Sequence, residues 1–236
     1  MPTSPPELVA AAKKLRPAAV AKLLENEYPA VYRLAYALAG RWDVGRGIAR
    51  FVLARSVKLM PKWGAEDDPA NWYHRFTIMT ARRSAQHQPK VAKSDVLVEQ
   101  ALDPDAAYVA FVSALRHLET QQREAFLLHY CERLNARYSA LAMDCSTAAA
   151  ETHLRAADDA LRLVAGENFS ALTHKLRDAY QHLTPDATDM LPTVNRVVFR
   201  HVKLRRWARW AVVLIELAVL AGLLWGGWKL YHLVRT

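Results

Sequence analysis

Cysteine and glycine are scarce in this sequence, and each shortage excludes a class of function. The 236 residues include two cysteines and eight glycines. Two cysteines, Cys131 and Cys145, are too few for a disulfide framework, and they fit a reducing compartment as packing residues. We find no glycine-rich phosphate loop, no nucleophile elbow and no paired carboxylates, and the nine histidines follow no metal-ligand spacing. We therefore predict a protein that is not an enzyme and that has no metal and no cofactor.

Strand-like alternation is missing as well, and helical spacing takes its place. Alanine, leucine and arginine, which favour helix, dominate a chain that is 52% hydrophobic. The spacing of Val31, Leu34, Ala35 and Leu38 places them on one helical face, and Gly40 follows as a helix end. Polar, proline-containing residues at 87–104 read as a connector. The sequence therefore predicts an all-α fold.

The net charge of +9 is unevenly distributed. Residues 1–95 carry 16 basic against 8 acidic side chains, residues 96–185 carry 8 against 12, and residues 186–236 carry 8 against 3. A basic first part indicates a polyanionic partner, either nucleic acid or an anionic membrane surface. A solvated basic face with no such partner gives the same pattern.

The C-terminal stretch is the one long apolar run. From Trp210 to Trp228 it carries a single charge, Glu216, and with the residues up to 230 it reaches the length of about 20 that crosses a bilayer. We predict a transmembrane helix over residues 210–230; a buried C-terminal helix of a soluble core is the alternative. The N-terminus shows no basic segment followed by an apolar one, so no signal peptide is evident.

Charges on the two sides of that run predict its orientation. Six basic residues precede it and two follow it, and positive charge marks the cytoplasmic side. We expect a single-pass protein of the cytoplasmic membrane with its N-terminal domains in the cytoplasm. The basic residues are Arg196, Arg200, Lys203, Arg205, Arg206 and Arg209 before the run, and Lys229 and Arg235 after it.

The sequence of residues 105–165 predicts several short helices. Within them, "NARYSALAM", the turn "DCS" and "TAAAETHLRAADDALRL" follow one another. Two helices around a short turn form a helix-turn-helix, whose second helix can enter the DNA major groove.

The stretches "ALRHLETQQREAFLLHY" and "HLRAADDALR" together carry a family resemblance. They are similar to the opening of the second conserved domain and to the helix-turn-helix of the extracytoplasmic-function sigma factors. "EYPAVYRLAYALAGRWDVGRGIARFVLARSVKLMPKW" and "DPANWYHRFTIMTARR" are similar to their first conserved helix pair and to their promoter-melting segment. The matching residues of the second domain are Ala114, Leu115, Leu118, Gln122, Arg123, Glu124, Phe126, Leu127, Leu128, Tyr130, Leu154, Ala157, Leu161 and Arg162.

The resemblance implies a domain order. It predicts an N-terminal extension at 1–24, a sigma region 2-like bundle at 25–86 and a linker at 87–104. A region 4-like helix-turn-helix domain at 105–165, a juxtamembrane helical segment at 166–209 and the transmembrane helix at 210–230 follow.

It also implies a function and site residues. A sigma factor is not an enzyme; it binds core RNA polymerase and promoter DNA, and an anti-sigma factor or another membrane partner can bind it. Trp72 would stack on an unpaired base, although it could equally fill the core of the first domain. The implied DNA-binding residues are Trp72, Arg75, Arg82, Arg83, Ser146, Thr147, His153 and Arg155. The implied polymerase-binding residues are Asp43, Arg46 and Arg50.

Departures from the family pattern favour a second hypothesis. The acidic stripe of the first domain keeps only Asp43, and two arginines stand nearby. Glu119 replaces a usual proline, and the candidate recognition helix offers alanines and Glu151, which would repel phosphate. A degenerate sigma-like membrane adaptor or decoy, without promoter recognition, is therefore the alternative. A weaker alternative is a protein whose basic first domain lies on anionic lipid.

Overall fold

The computed structural model describes residues 4–64, 68–85 and 95–204, with scattered positions between 207 and 223. Over these residues the chain is helical and has no strand, which confirms the all-α prediction. The helices of the described part are α1 Pro6–Lys13, α2 Pro17–Ala39, α3 Trp42–Leu59, α4 Pro69–Ala85, α5 Val96–Glu99, α6 Ala106–His117, α7 Thr120–Phe126, α8 Ala136–Met143, α9 Thr147–Ala165, α10 Phe169–His182 and α11 Ala187–Val198.

Helices α2, α3 and α4 form a first bundle around fully buried Tyr28, Tyr36 and Leu53. Pro17 occupies the first turn of α2, where its missing N–H costs nothing, and Gly40 ends the helix with a φ of 69°. α2 therefore runs unbroken across the predicted boundary at residues 24 and 25. α1 packs against α2, so the predicted N-terminal extension is part of the first bundle.

Gly45 allows α2 and α3 to approach closely. A Cβ atom at this position would lie 2.6 Å from Cγ and 2.8 Å from Cα of Tyr36. Those distances are shorter than any ordinary carbon contact, so a side chain here would push the two helices apart. We expect Gly45→Ala to lower the free energy of unfolding by about 1–3 kcal/mol, measured by urea titration. An unchanged unfolding midpoint would contradict this expectation, and Gly47→Ala, where a Cβ meets open space, is the control.

A second bundle contains α6 to α9 and includes the predicted helix-turn-helix. Asn135 caps α8 by accepting the N–H of Tyr138 at 3.0 Å, and Ser146 caps α9 by accepting that of Ala149 at 3.2 Å. Between them, Asp144 turns the chain with a left-handed φ of 59°. Phe111, Phe126 and Leu161 are fully buried in the core beneath.

The predicted juxtamembrane segment folds back on both bundles. α10 packs against α6, a connector at 183–186 follows, and α11 lies across α2 and α3. A π-helical turn, Phe199–Lys203, continues α11.

The predicted transmembrane segment at 210–230 lies largely outside the described residues. Among the positions that are described, no helix has both the length and the apolar character needed to cross a bilayer.

Candidate nucleic-acid and polymerase interface

Arg82 joins the two bundles. From α4, its guanidinium donates to both carboxylate oxygens of Glu124 in α7, with Nε–Oε1 at 2.8 Å and Nη2–Oε2 at 2.6 Å. It also donates to the carbonyl of Met143 at the end of α8, at 3.1 Å. The Glu124 side chain is 1% exposed and that of Arg82 28%. This bidentate pair connects α4, which the resemblance assigns to promoter melting, to α7 of the second bundle.

The electrostatics of the pair follow from its burial. Burial raises the pKa of the Glu124 carboxyl, and the hydrogen bonds and charge of Arg82 oppose that rise. The hydrogen bond with Glu124 raises the pKa of Arg82 in turn. In this arrangement the Arg82 guanidinium is therefore committed to the second bundle and not to a phosphate.

A second contact between the bundles is exposed. Arg75 of α4 donates to Asp144 Oδ1 at 2.8 Å, and both side chains are more than half exposed. Asp144 is the left-handed residue between α8 and α9, so this ion pair reaches the turn of the helix-turn-helix. An exposed pair of this kind contributes little stability, and a phosphate can replace the carboxylate at small cost.

A buried polar cluster joins three parts of the chain. Glu132 follows a π-helical turn of the second bundle, Leu127–Cys131. It lies 3.4 Å from His74 of α4 and accepts a hydrogen bond from the Tyr180 hydroxyl of α10. The side chains of Glu132 and His74 are 1% and 5% exposed. Burial raises the pKa of Glu132, but His74, Tyr180 and nearby Arg33 outweigh it and lower the pKa below its ordinary value.

Trp72 packs within the first bundle. Its ring stacks on Phe76 with centroids 4.8 Å apart and an interplanar angle of 18°, and the ring of Trp63 lies 5.2 Å away. The side chain is half-buried and packed against the core. The core-filling interpretation therefore describes this arrangement, while base stacking stays a prediction.

The residues predicted on the second bundle lie at the start and middle of α9. Ser146 is the N-cap and Thr147 is exposed beside it. Arg155 is exposed, but its Nε turns back to the carbonyl of Glu151 at 3.4 Å. His153 is half-buried near Glu124. DNA contact by these residues stays a prediction, and α9 presents few donors for it.

The three predicted polymerase-binding residues lie on α3, and each lies close to another side chain. Asp43 pairs with Arg41 at 2.8 Å. Arg50 donates to Asp189 of α11 at 3.1 Å, and exposed Arg46 lies near Tyr36. α11 therefore contacts the surface that the resemblance assigns to polymerase.

Sequence reasoning missed Glu132, Tyr180 and Asp189 as interface residues, because each meets partners far away along the chain. It matched Glu124 to the family motif but did not assign it a partner. Glu119, where the family has proline, donates its backbone N–H to Gln122 Oε1 at 3.3 Å and caps α7. The described residues contain no group of acidic, histidine and cysteine side chains able to hold a metal.

Solved structures similar to this chain include two sigma factors. CnrH, an extracytoplasmic-function sigma factor solved in complex with the cytosolic domain of CnrY, aligns with a TM-score of 0.54 and 17% identity. That alignment covers 67% of this chain and 95% of CnrH. The sigma factor RpoE, from a complex with the anti-sigma factor NepR from Bartonella quintana, aligns with a TM-score of 0.49 and 19% identity over 61% of this chain and 94% of RpoE. No family model and no curated protein matches the sequence. The chain has an extracytoplasmic-function sigma-like fold.

Proposed function

We propose that this chain is a membrane-tethered sigma factor that binds core RNA polymerase and promoter DNA to initiate transcription. The observation that carries the proposal is the similarity in fold to nearly the whole of CnrH. The helix-turn-helix and the position of the Gln-Arg-Glu motif on α7 agree with it. CnrH was solved with the cytosolic domain of CnrY bound, and we propose an anti-sigma partner for this chain as well.

A specific arrangement favours the degenerate adaptor as the second candidate. Arg82 and Arg75, two predicted DNA contacts, are paired with Glu124 and Asp144 of the second bundle. The exposed start of α9 offers alanines and Glu151. An adaptor would keep this closed arrangement permanently, whereas a sigma factor must separate the bundles to reach two promoter elements.

Capture by core polymerase followed by run-off transcription separates the two candidates. We expect the chain to be retained by immobilised core polymerase and to direct transcription from a promoter selected from genomic fragments. Retention without transcription or DNA binding would leave the adaptor as the function. No retention under any salt condition would contradict both polymerase-based proposals.

DNA binding should depend on the exposed basic residues of α4. Each phosphate contact contributes about 0.9 to the slope of log affinity against log salt on duplex DNA. We expect Arg75→Ala with Arg83→Ala to weaken binding of the polymerase complex to promoter fragments and to flatten that slope by about one to two units. Lys22→Ala, on an exposed lysine of α2, is the control. Equal slopes for the double variant and the control would remove α4 from the DNA interface.

Membrane attachment is proposed from the apolar run at 210–230 and its basic flank. We expect the full chain to sediment with membranes and to resist extraction by alkaline carbonate, because a helix that spans the bilayer cannot leave with peripheral proteins. A chain ending at residue 203 should remain in the supernatant. A full chain extracted by carbonate would show that the run does not span the membrane.

A further inference from the structure

Helix α11 carries an apolar stripe along the side that faces α2 and α3. Val194, Val197 and Val198 are at most 8% exposed, and Thr193 and Val202 are equally buried. These positions recur at the three- and four-residue intervals of one helical face. The opposite side is open, with Asn195 exposed and Phe199 59% exposed. α11 is therefore a helix on the outside of the first bundle and not part of its interior.

The polar edge of this contact has a definite charge pattern. Asp189, one turn before the valines, accepts a hydrogen bond from Arg50 of α3 at 3.1 Å and also lies near Arg46. Thr193 lies beside the hydroxyl of Tyr28, and burial raises the pKa of that tyrosine. The α2–α3 surface beneath α11 is thus aromatic and cationic, and the helix that covers it brings a carboxylate and an apolar stripe.

This surface coincides with a predicted partner surface. Arg46 and Arg50 are two of the three positions that the resemblance assigns to polymerase contact, and Arg50 is held by α11. The side chains of Arg50 and Asp189 are about two-fifths and one-third exposed, so solvent screens their ion pair. A competing carboxylate can therefore replace Asp189. The apolar stripe is a set of separate side chains, which a second amphipathic helix can reproduce.

We infer that the α2–α3 surface is a binding site for an amphipathic helix whose apolar stripe is preceded by a carboxylate, and that α11 occupies this site in the closed chain. A helix of the same chemistry on a partner must displace α11 in order to bind. The contacts of α11 support the existence of the site. The identification of polymerase as the displacing partner rests on the proposed function.

A charge-swap experiment on the full chain tests the site. The probe is a fluorescent peptide of residues 183–204, in its native form or with Asp189→Arg. In the full-length variant Asp189→Arg, α11 should be released because Arg50 then faces a second cation. The native peptide should bind this variant about ten-fold more tightly than it binds the wild-type chain. In the full-length variant Arg50→Asp the preference should reverse, so that the arginine peptide binds more tightly than the native one.

Controls make the outcome decisive. Asn195→Arg adds a cation on the exposed side of α11 and should leave peptide binding at the wild-type level. Val194→Asp, which places a carboxylate against the apolar surface, should release α11 without touching Arg50. Hydrogen exchange of the α11 amides should rise in the three releasing variants and stay low in the control. Variants that bind both peptides equally, or neither, would overturn the inference.

Capture by core polymerase is measured on the same variants. Release of α11 should increase capture by Asp189→Arg about ten-fold over the wild-type chain, because the competitor is weakened by that factor. If the peptides show the charge swap and no variant captures polymerase, the proposed function fails and the site remains. If polymerase captures the wild-type chain and Asp189→Arg equally, displacement of α11 by polymerase is excluded.

Discussion

Arg82→Ala should lower the free energy of unfolding by about 3 kcal/mol, because it leaves the buried Glu124 carboxylate without its partner. The value is at the low end of the range for broken buried pairs, since the Arg82 side chain keeps 28% exposure. The carbonyl of Met143 loses a donor as well. Urea unfolding followed by circular dichroism measures the change.

A paired substitution separates the lost interaction from the stranded charge. Arg82→Met combined with Glu124→Leu removes both charges and keeps the volume, and such replacements are commonly neutral or stabilising. We expect the double variant to unfold within about 1 kcal/mol of the wild-type chain. If it were as unstable as Arg82→Ala, lost packing and not an uncompensated charge would explain the single substitution.

Glu132→Ala should have an effect of the same size, about 3 kcal/mol or more. The substitution removes the acceptor of the Tyr180 hydroxyl and the carboxylate beside His74, and both partners are buried. It therefore loosens α4, the second bundle and α10 together. Tyr180→Phe, which removes one hydroxyl from the same cluster, should cost only about 1–2 kcal/mol. Equal losses in the two variants would show that the hydroxyl, not the carboxylate, holds the cluster.

The pH dependence of Glu132→Gln has a defined sign. The pKa of Glu132 is lower in the folded chain than its ordinary value. Such a carboxyl stabilises the fold at pH values above its unfolded pKa of about 4.3 and loses that contribution as the pH falls through the lower folded value. The difference in unfolding free energy between the wild-type chain and Glu132→Gln should shrink as the pH falls below about pH 4. A difference that grew on acidification would contradict a lowered pKa.

Local structure was predictable where local chemistry decides it. Gly40 ends α2, and Asn135 and Ser146 cap the two helices of the helix-turn-helix, because caps and left-handed glycines act within a few residues. Gly40 was predicted as a helix end from the sequence alone; Asn135 and Ser146 were not predicted as caps, although the two helices and the turn between them were. The division of the chain into region 2-like and region 4-like segments stays a prediction, and the beginning of α2 at Pro17 was not predicted.

The packing of the two bundles was not predictable in this way. Arg82 meets Glu124 across 42 residues of sequence, and Arg50 meets Asp189 across 139. Nothing in the neighbourhood of either residue indicates its partner. For this reason Arg75, Arg82 and Arg50 could be identified as functional candidates from their charge and position, but not as residues already engaged within the chain.

The length of the connector at 183–186 determines the concentration that a competing helix needs in order to displace α11. With four residues between α10 and α11, the covering helix cannot diffuse away from the α2–α3 surface. A short tether of this kind holds a ligand at an effective concentration in the millimolar range. A free helix of equal intrinsic affinity therefore needs about a millimolar concentration to occupy half of the sites. Lengthening the connector dilutes the tethered helix while leaving every contact of α11 intact, so loop length alone tunes the threshold for opening.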